Sequence, residues 1–233
     1  MDIKGIIFDM DGLMLDTERL LCKFWCQAAE EMGFKMTKQH VLGIRSCSAS
    51  IAEPELKEQL GDSFDYPVVR ARRIELMNSH IKEFGISMKK GLIELLNYLK
   101  SNNYLIAVAT ATDLTRTTMY LKQLNIFNYF DKIVCGSMVS KSKPAPDIYL
   151  KACQDLSLEP KNCLALEDSP NGIISAHDAG CHVIMIPDLS EPDDELLMLL
   201  DARLDSLDLV IDFLNKKINN FNSLMQYKPH NKN

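Results

Sequence analysis

Five short apolar runs recur along the chain: Gly5-Ile6-Ile7-Phe8, Leu105-Ile106-Ala107-Val108-Ala109, Lys132-Ile133-Val134-Cys135, Cys163-Leu164-Ala165-Leu166 and Val183-Ile184-Met185-Ile186. Each shows little polar alternation, the pattern of a strand buried on both faces of a parallel sheet. Between the runs the apolar positions change to helical spacing. Leu92, Leu95, Leu96 and Leu99 share one helical face, and Leu114, Thr117, Leu121 and Leu124 share another. The segment 145–157 starts in a Pro-Ala-Pro turn. Ser169-Pro170 then reads as an N-cap followed by proline at the first helical position, and Gly180 as the helix stop. Strands alternating with helices predict an α/β fold built on a doubly wound parallel sheet.

Residues 17–87 follow another pattern. Leu20, Leu21, Phe24, Trp25, Ala28, Ala29 and Met32 form a wide helical stripe that ends at Gly33, and further helical pattern follows with few strand signals. This predicts an α-helical insertion after the first strand. The core is then discontinuous, 1–16 with 88–233, and 17–87 form a second domain. The tail from Asn215, rich in Asn and Lys, reads as a final helix that frays.

Composition narrows the function classes. A formal net charge of −6 and the lack of any Lys/Arg-rich block argue against nucleic acid as a partner. The seven cysteines include no Cys-x-x-Cys pair, so zinc is not expected and the thiols read as reduced. The first residues do not form a signal peptide, and no apolar run reaches the roughly 18 residues of a membrane span. The expectation is a soluble, cytoplasmic monomer. His40, His80, His177, His182 and His230 show no metal-ligand spacing and read as structural or surface residues.

The chemistry gathers at strand ends. Asp9 and Asp11 follow the first run in Phe8-Asp9-Met10-Asp11-Gly12. Open α/β sheets place ligands at this edge, and paired acids call for a neutralising cation such as Mg²⁺, although an ordinary Asp-Gly turn is the simpler alternative. Thr110 ends the second run, where its hydroxyl and the following amides could bind a phosphate oxygen. Lys143 opens Lys-Pro-Ala-Pro-Asp (143–147), a proline-fixed loop that could hold its charge against phosphate and carboxylate. Glu167-Asp168-Ser169 ends another run just before a helix, a place for metal ligands or for N-capping. Arg70, Arg72 and Arg73 form a basic cluster on a helix, read as a solvated face.

In this order and spacing, Asp-x-Asp-Gly, Thr, Lys-Pro-x-Pro-Asp and Glu-Asp-Ser resemble the four motifs of the haloacid dehalogenase-like superfamily, across residues 5 to about 187. The opening 8–18 resembles the branch that contains β-phosphoglucomutase and sugar-phosphate phosphatases. The resemblance implies a Rossmann-like core with a helical cap. It implies Asp9 as a nucleophile forming an aspartyl-phosphate and Asp11 as general acid and base. Thr110, Lys143 and the amides near Met10, Asp11 and Ala111 would grip the phosphoryl group. Mg²⁺ would be held by Asp9, the Asp11 carbonyl oxygen and Asp168, with Glu167 direct or through water. Gly43-Ile44-Arg45 resembles the cap loop that faces the site, making Arg45 a candidate contact for a substrate anion.

The implied activity is hydrolysis of a small phosphorylated metabolite. A β-phosphoglucomutase-type mutase is the alternative, and a non-catalytic phosphate-binding regulator is a third. Mutases of this branch carry a histidine on the first cap helix. Leu21 best matches that position here, and Thr17-Glu18 resembles the phosphatases. Ser87-Met88-Lys89-Lys90-Gly91 departs from relatives that often have proline at the return hinge.

Overall fold

A computed structural model describes residues 2–45, 47 and 49–216. His230 and the tail beyond Lys216 lie outside the described residues. Six parallel strands form one sheet: β1 (Gly5–Phe8), β2 (Leu105–Thr110), β3 (Lys132–Cys135), β4 (Cys163–Glu167), β5 (His182–Met185) and β6 (Ala202–Arg203). Their order is β3-β2-β1-β4-β5-β6, so the chain winds outward in one direction from β1 and in the other from β4. Phe8 lies in register with Val108 on one side and Leu166 on the other, which sets the ends of β1, β2 and β4 side by side at the topological switch point. β5 starts one residue before the predicted run. β6 was not among the five predicted strands, since two residues carry no periodic signal.

The sheet is covered on both faces. Helix α5 (Leu92–Ser101) buries Leu92, Leu95, Leu96 and Leu99 against Ile6, Phe8, Ile106 and Val108. Two later helices, α7 (Asp147–Asp155) and α8 (Pro170–Asp178), cover Ile7, Ala107, Ala109, Ala165 and Val183 on the opposite face. The odd and even residues of each strand therefore meet different helices, and both must be apolar. Helix α6 (Leu114–Gln123) buries Thr117, Tyr120 and Leu121, whereas Leu114 at its start is exposed.

Between β1 and α5 stand α1 (Glu18–Glu31), α2 (Lys38–Gly43), α3 (Ala49–Leu60) and α4 (Tyr66–Phe84). They share an apolar cluster of their own, which includes Trp25, Ala28, Val41, Leu56, Phe64 and Val69. Two adjacent strands of chain join this insertion to the sheet. Leu15 bridges to Met88, Asp16 N donates to the Ser87 carbonyl oxygen at 2.9 Å, and Lys89 N donates to that of Met14 at 2.9 Å. On the return strand Lys89 also reaches Asp188, 2.7 Å away.

The basic cluster on α4 corrects the sequence reading. Arg72 is on the surface and pairs with Glu31 and Glu75, but Arg73 is buried under Trp25. Helical geometry turns consecutive residues by about 100°, so neighbours of like charge can face water and interior. His40 caps α2 through the Thr37 amide, His80 packs between Phe24 and Phe84, and His182 pairs with Asp201. No described helix is long and apolar enough to cross a membrane.

Candidate active site

Three strand ends and one loop converge at the switch point. Asp9 follows β1 directly, with its amide bonded to the Leu166 carbonyl oxygen at 3.1 Å. Thr110 ends β2, and Glu167 ends β4 ahead of Asp168 and Ser169. The Ser169 hydroxyl accepts the Gly172 amide at 3.2 Å and so caps α8. Lys143 comes from the loop after β3. Its ammonium, 1% exposed, donates to Asp9 Oδ1 at 2.5 Å, to Glu167 Oε1 at 2.6 Å and to the Ala109 carbonyl oxygen at 3.0 Å. All three donor sites of the ammonium are thereby used.

Glu167 is held on every side. The Tyr149 hydroxyl donates to Oε1 at 2.6 Å, while Oε2 accepts from the Asp168 amide at 3.1 Å and the Ser169 hydroxyl at 3.2 Å. A Cβ on Gly172 would stand 1.9 Å from Glu167 Oε1, so glycine is required where the carboxylate crosses the helix start. Neither Tyr149 nor Gly172 was predicted. Both are ordinary core-helix residues by pattern, and only their three-dimensional distance from Glu167 identifies them.

Asp11 is placed differently. Thr17 and Thr112 each donate a hydroxyl to one of its oxygens, both at 2.7 Å. The Thr112 amide in turn donates to Thr110 Oγ1 at 3.1 Å. Arg45 arrives from the insertion and packs onto the core. Its guanidinium donates to Asp168 Oδ2 at 2.5 Å and to the Asp168 carbonyl oxygen at 3.1 Å, and lies 3.5 Å from Glu18. It is thus spent on protein carboxylates in this structure. The Asn171 side-chain amide holds the Arg45 carbonyl oxygen at 2.9 Å.

Burial dominates the electrostatics. It pushes Asp9 up to about 7 against the opposing pull of Lys143, and Glu18 up to about 8 against that of Arg45. Burial also raises Asp168 well above the usual carboxylate range. For Lys143 burial acts downward, but Asp9 and Glu167 overcome it and keep the ammonium charged. The site is therefore short of positive charge.

A divalent cation fits this deficit. Oxygens of Asp9, Glu167 and Asp168 lie within 4.8 Å of one another, and Asp168 Oδ1 is buried without a hydrogen-bond partner among the described residues. Hard carboxylate oxygens of this kind suit Mg²⁺. Above them a cavity of about 140 Å³ is lined on the core side by Asp9, Asp11, Thr110 and Ala111, and on the insertion side by Leu21, Trp25, Arg45 and Arg73, among others.

The model of the haloacid dehalogenase-like hydrolases matches residues 6–186, and the protein belongs to that family. Similar proteins include "Probable pseudouridine-5'-phosphatase" of Drosophila melanogaster, 34% identical over 80% of this chain and 82% of that one. Another is a phosphorylated carbohydrates phosphatase of Thermotoga maritima, 30% identical over 76% of this chain and 82% of that one. Among solved structures, CbbY from Rhodobacter sphaeroides in complex with xylulose-(1,5)bisphosphate superposes with a TM-score of 0.76 at 27% identity. The match covers 88% of this chain and 95% of that one. A β-phosphoglucomutase from Clostridium difficile shares the fold, with a TM-score of 0.79, at 23% identity over 94% and 98% of the two chains.

Proposed function

We propose that the protein is a Mg²⁺-dependent phosphatase of small phosphorylated metabolites, sugar phosphates foremost, working through an aspartyl-phosphate on Asp9. The observation that carries this reading is Lys143, which holds both Asp9 and Glu167 across 134 and 24 positions of sequence. Asp9 Oδ1 is thereby held in place beside the cavity, with Lys143 opposing the upward push of burial on its carboxyl. The names of the relatives, phosphatases of a nucleoside-type monophosphate and of phosphorylated carbohydrates, support the substrate class.

In the proposed sequence Asp9 attacks phosphorus and the P–O bond to the substrate alcohol breaks, with Asp11 giving the leaving oxygen its proton. Asp11 then takes a proton from water, which attacks the same phosphorus and releases phosphate from Asp9. Thr110 holds the phosphoryl oxygens together with Lys143, which exchanges one of its three protein acceptors for a phosphoryl oxygen, and Thr17 and Thr112 fix the direction of the Asp11 carboxyl. Asp9, the Asp11 carbonyl oxygen and Asp168 would hold Mg²⁺, with Glu167 direct or through water. Bound there, the ion neutralises phosphate and carboxylate charge. Residues 17–87 would act as the cap that excludes water.

Leu21 favours hydrolysis over mutase chemistry. It lines the cavity, and the partners of the Asp11 carboxylate are threonine hydroxyls rather than an imidazole. The test is phosphate release from a panel of phosphorylated metabolites in Mg²⁺ and in EDTA. Asp9→Asn should lower release at least about a thousandfold. Isomerisation of β-glucose 1-phosphate without phosphate release would instead favour the mutase, and neither activity in a folded protein would sink both.

A further inference from the structure

The cavity carries more positive charge than the phosphoryl chemistry uses. Arg73 on α4 is 5% exposed, and its guanidinium lies 5.1 Å from the centre of the Trp25 ring. Its Nε and Nη1 are buried without a hydrogen-bond partner among the described residues. Arg70, one helical turn earlier, and Arg116 on α6 line the same cavity. Arg116 is partly balanced by Asp113 at 3.3 Å, but no ion pair involves Arg73 among the described residues. Burial and the two neighbouring arginines push Arg73 down to about 10, which still leaves it cationic at neutral pH.

An unpartnered buried cation is costly, and a protein can tolerate one where a ligand brings the opposite charge. The other arginines of the insertion set the contrast. Arg45 meets Asp168 and Glu18, and Arg72 meets Glu31 and Glu75. Arg73, facing the cavity beside Asp9, Asp11 and Thr110, is buried and has no ion pair among the described residues. Guanidinium groups grip phosphate and carboxylate oxygens in pairs.

We infer that Arg73, with Arg70 and Arg116, receives a second anionic group of the substrate, a phosphate or carboxylate remote from the ester that is cleaved. The preferred substrates are then bis-anionic phosphomonoesters. This rests on the phosphatase reading and deepens it, since it names what the far end of the substrate must carry.

The experiment compares matched pairs of substrates. A pentose 1,5-bisphosphate is set against the pentose 5-phosphate, and 6-phosphogluconate against glucose 6-phosphate. The first pair reads a second phosphate and the second a carboxylate. In the unaltered protein kcat/KM should favour one or both bis-anionic partners by about ten- to a hundredfold, the range expected of hydrogen bonds to a charged group. In Arg73→Met that ratio should shrink to within about threefold, mainly through KM. The Tm of Arg73→Met should not fall, because an unpaired buried charge has been removed. Arg116→Gln should reduce the ratio in the same direction.

A ratio near one in the unaltered protein overturns the inference, even when the monoesters are hydrolysed. So does a ratio that survives Arg73→Met while Tm falls, which would make Arg73 a structural partner of Trp25. If no monoester is hydrolysed, the phosphatase reading fails separately. Calorimetric binding of the same pairs to Asp9→Asn protein, with and without Arg73→Met, then decides the inference by itself. Tighter binding of the bis-anionic partner that Arg73→Met removes supports it, and equal binding overturns it.

Discussion

At the sheet edge Lys143 stands between Asp9 and Glu167 at 2.5 and 2.6 Å, whereas across the same cavity Arg73 keeps two buried nitrogens without a partner among the described residues. The edge is internally compensated apart from a deficit that one divalent cation would fill. On the insertion side of the cavity Arg70 and Arg73 have no ion pair among the described residues. An enzyme whose chemistry is constant and whose substrate varies has reason to be built this way. Groups that meet the transferring phosphoryl group need fixed positions, so the protein supplies their partners. Groups that select the rest of the substrate gain most when the ligand supplies the partner.

The difference can be broken most severely at the edge. Lys143→Ala removes the counter-charge of two buried carboxylates. Stability should drop by about 3 kcal/mol or more, and turnover at least about a thousandfold. Urea unfolding and phosphate release measure the two. A loss below about 1 kcal/mol would mean that Asp9 and Glu167 are satisfied without the lysine.

Metal and pH come next. Asp9, near 7, and Glu18, near 8, lie above their ordinary values of 3.8 and 4.5. Between about pH 4 and 8 the folded state therefore holds more protons than the unfolded chain, and these groups cost stability as pH rises through that window. Mg²⁺ favours the ionised carboxylates, so its stabilising effect should grow from pH 5 to 8, reaching about 2.7 kcal/mol at a hundredfold excess over Kd. Melting curves in Mg²⁺ and in EDTA test this, and a shift that shrinks with pH contradicts it.

Thr17→Val loosens one oxygen of Asp11 and leaves the charge pairs intact. The expected loss is about tenfold in kcat with KM little changed. An unchanged kcat would mean that Thr112 alone positions the carboxyl. The smallest effect should be Arg72→Ala. Its partners Glu31 and Glu75 are at the surface, so stability should change by no more than about 0.5 kcal/mol. A larger loss would show that the surface side of α4 matters as much as the cavity side.

The fold was largely legible along the chain. Strands buried on both faces must be continuously apolar, and five of the six strands announced themselves that way. β6 did not, because two residues at a sheet edge carry no period. The insertion was visible as a change from short runs to a wide helical stripe, and its own cluster around Trp25 and Phe64 gives that stripe its reason.

By itself the sequence determined the order of the acids and the threonine at strand ends and of the lysine in its proline-rich loop. Their residue types and spacing are local facts that a parallel sheet converts into one edge. Only the tertiary structure decided which polar groups meet: Tyr149 and Gly172 against Glu167, Thr17 and Thr112 on Asp11, Arg45 on Asp168, and Arg73 turned inward while Arg72 faces solvent. The physical reason is that a charge takes its meaning from burial and from partners far away in sequence. Neither is written in a local pattern.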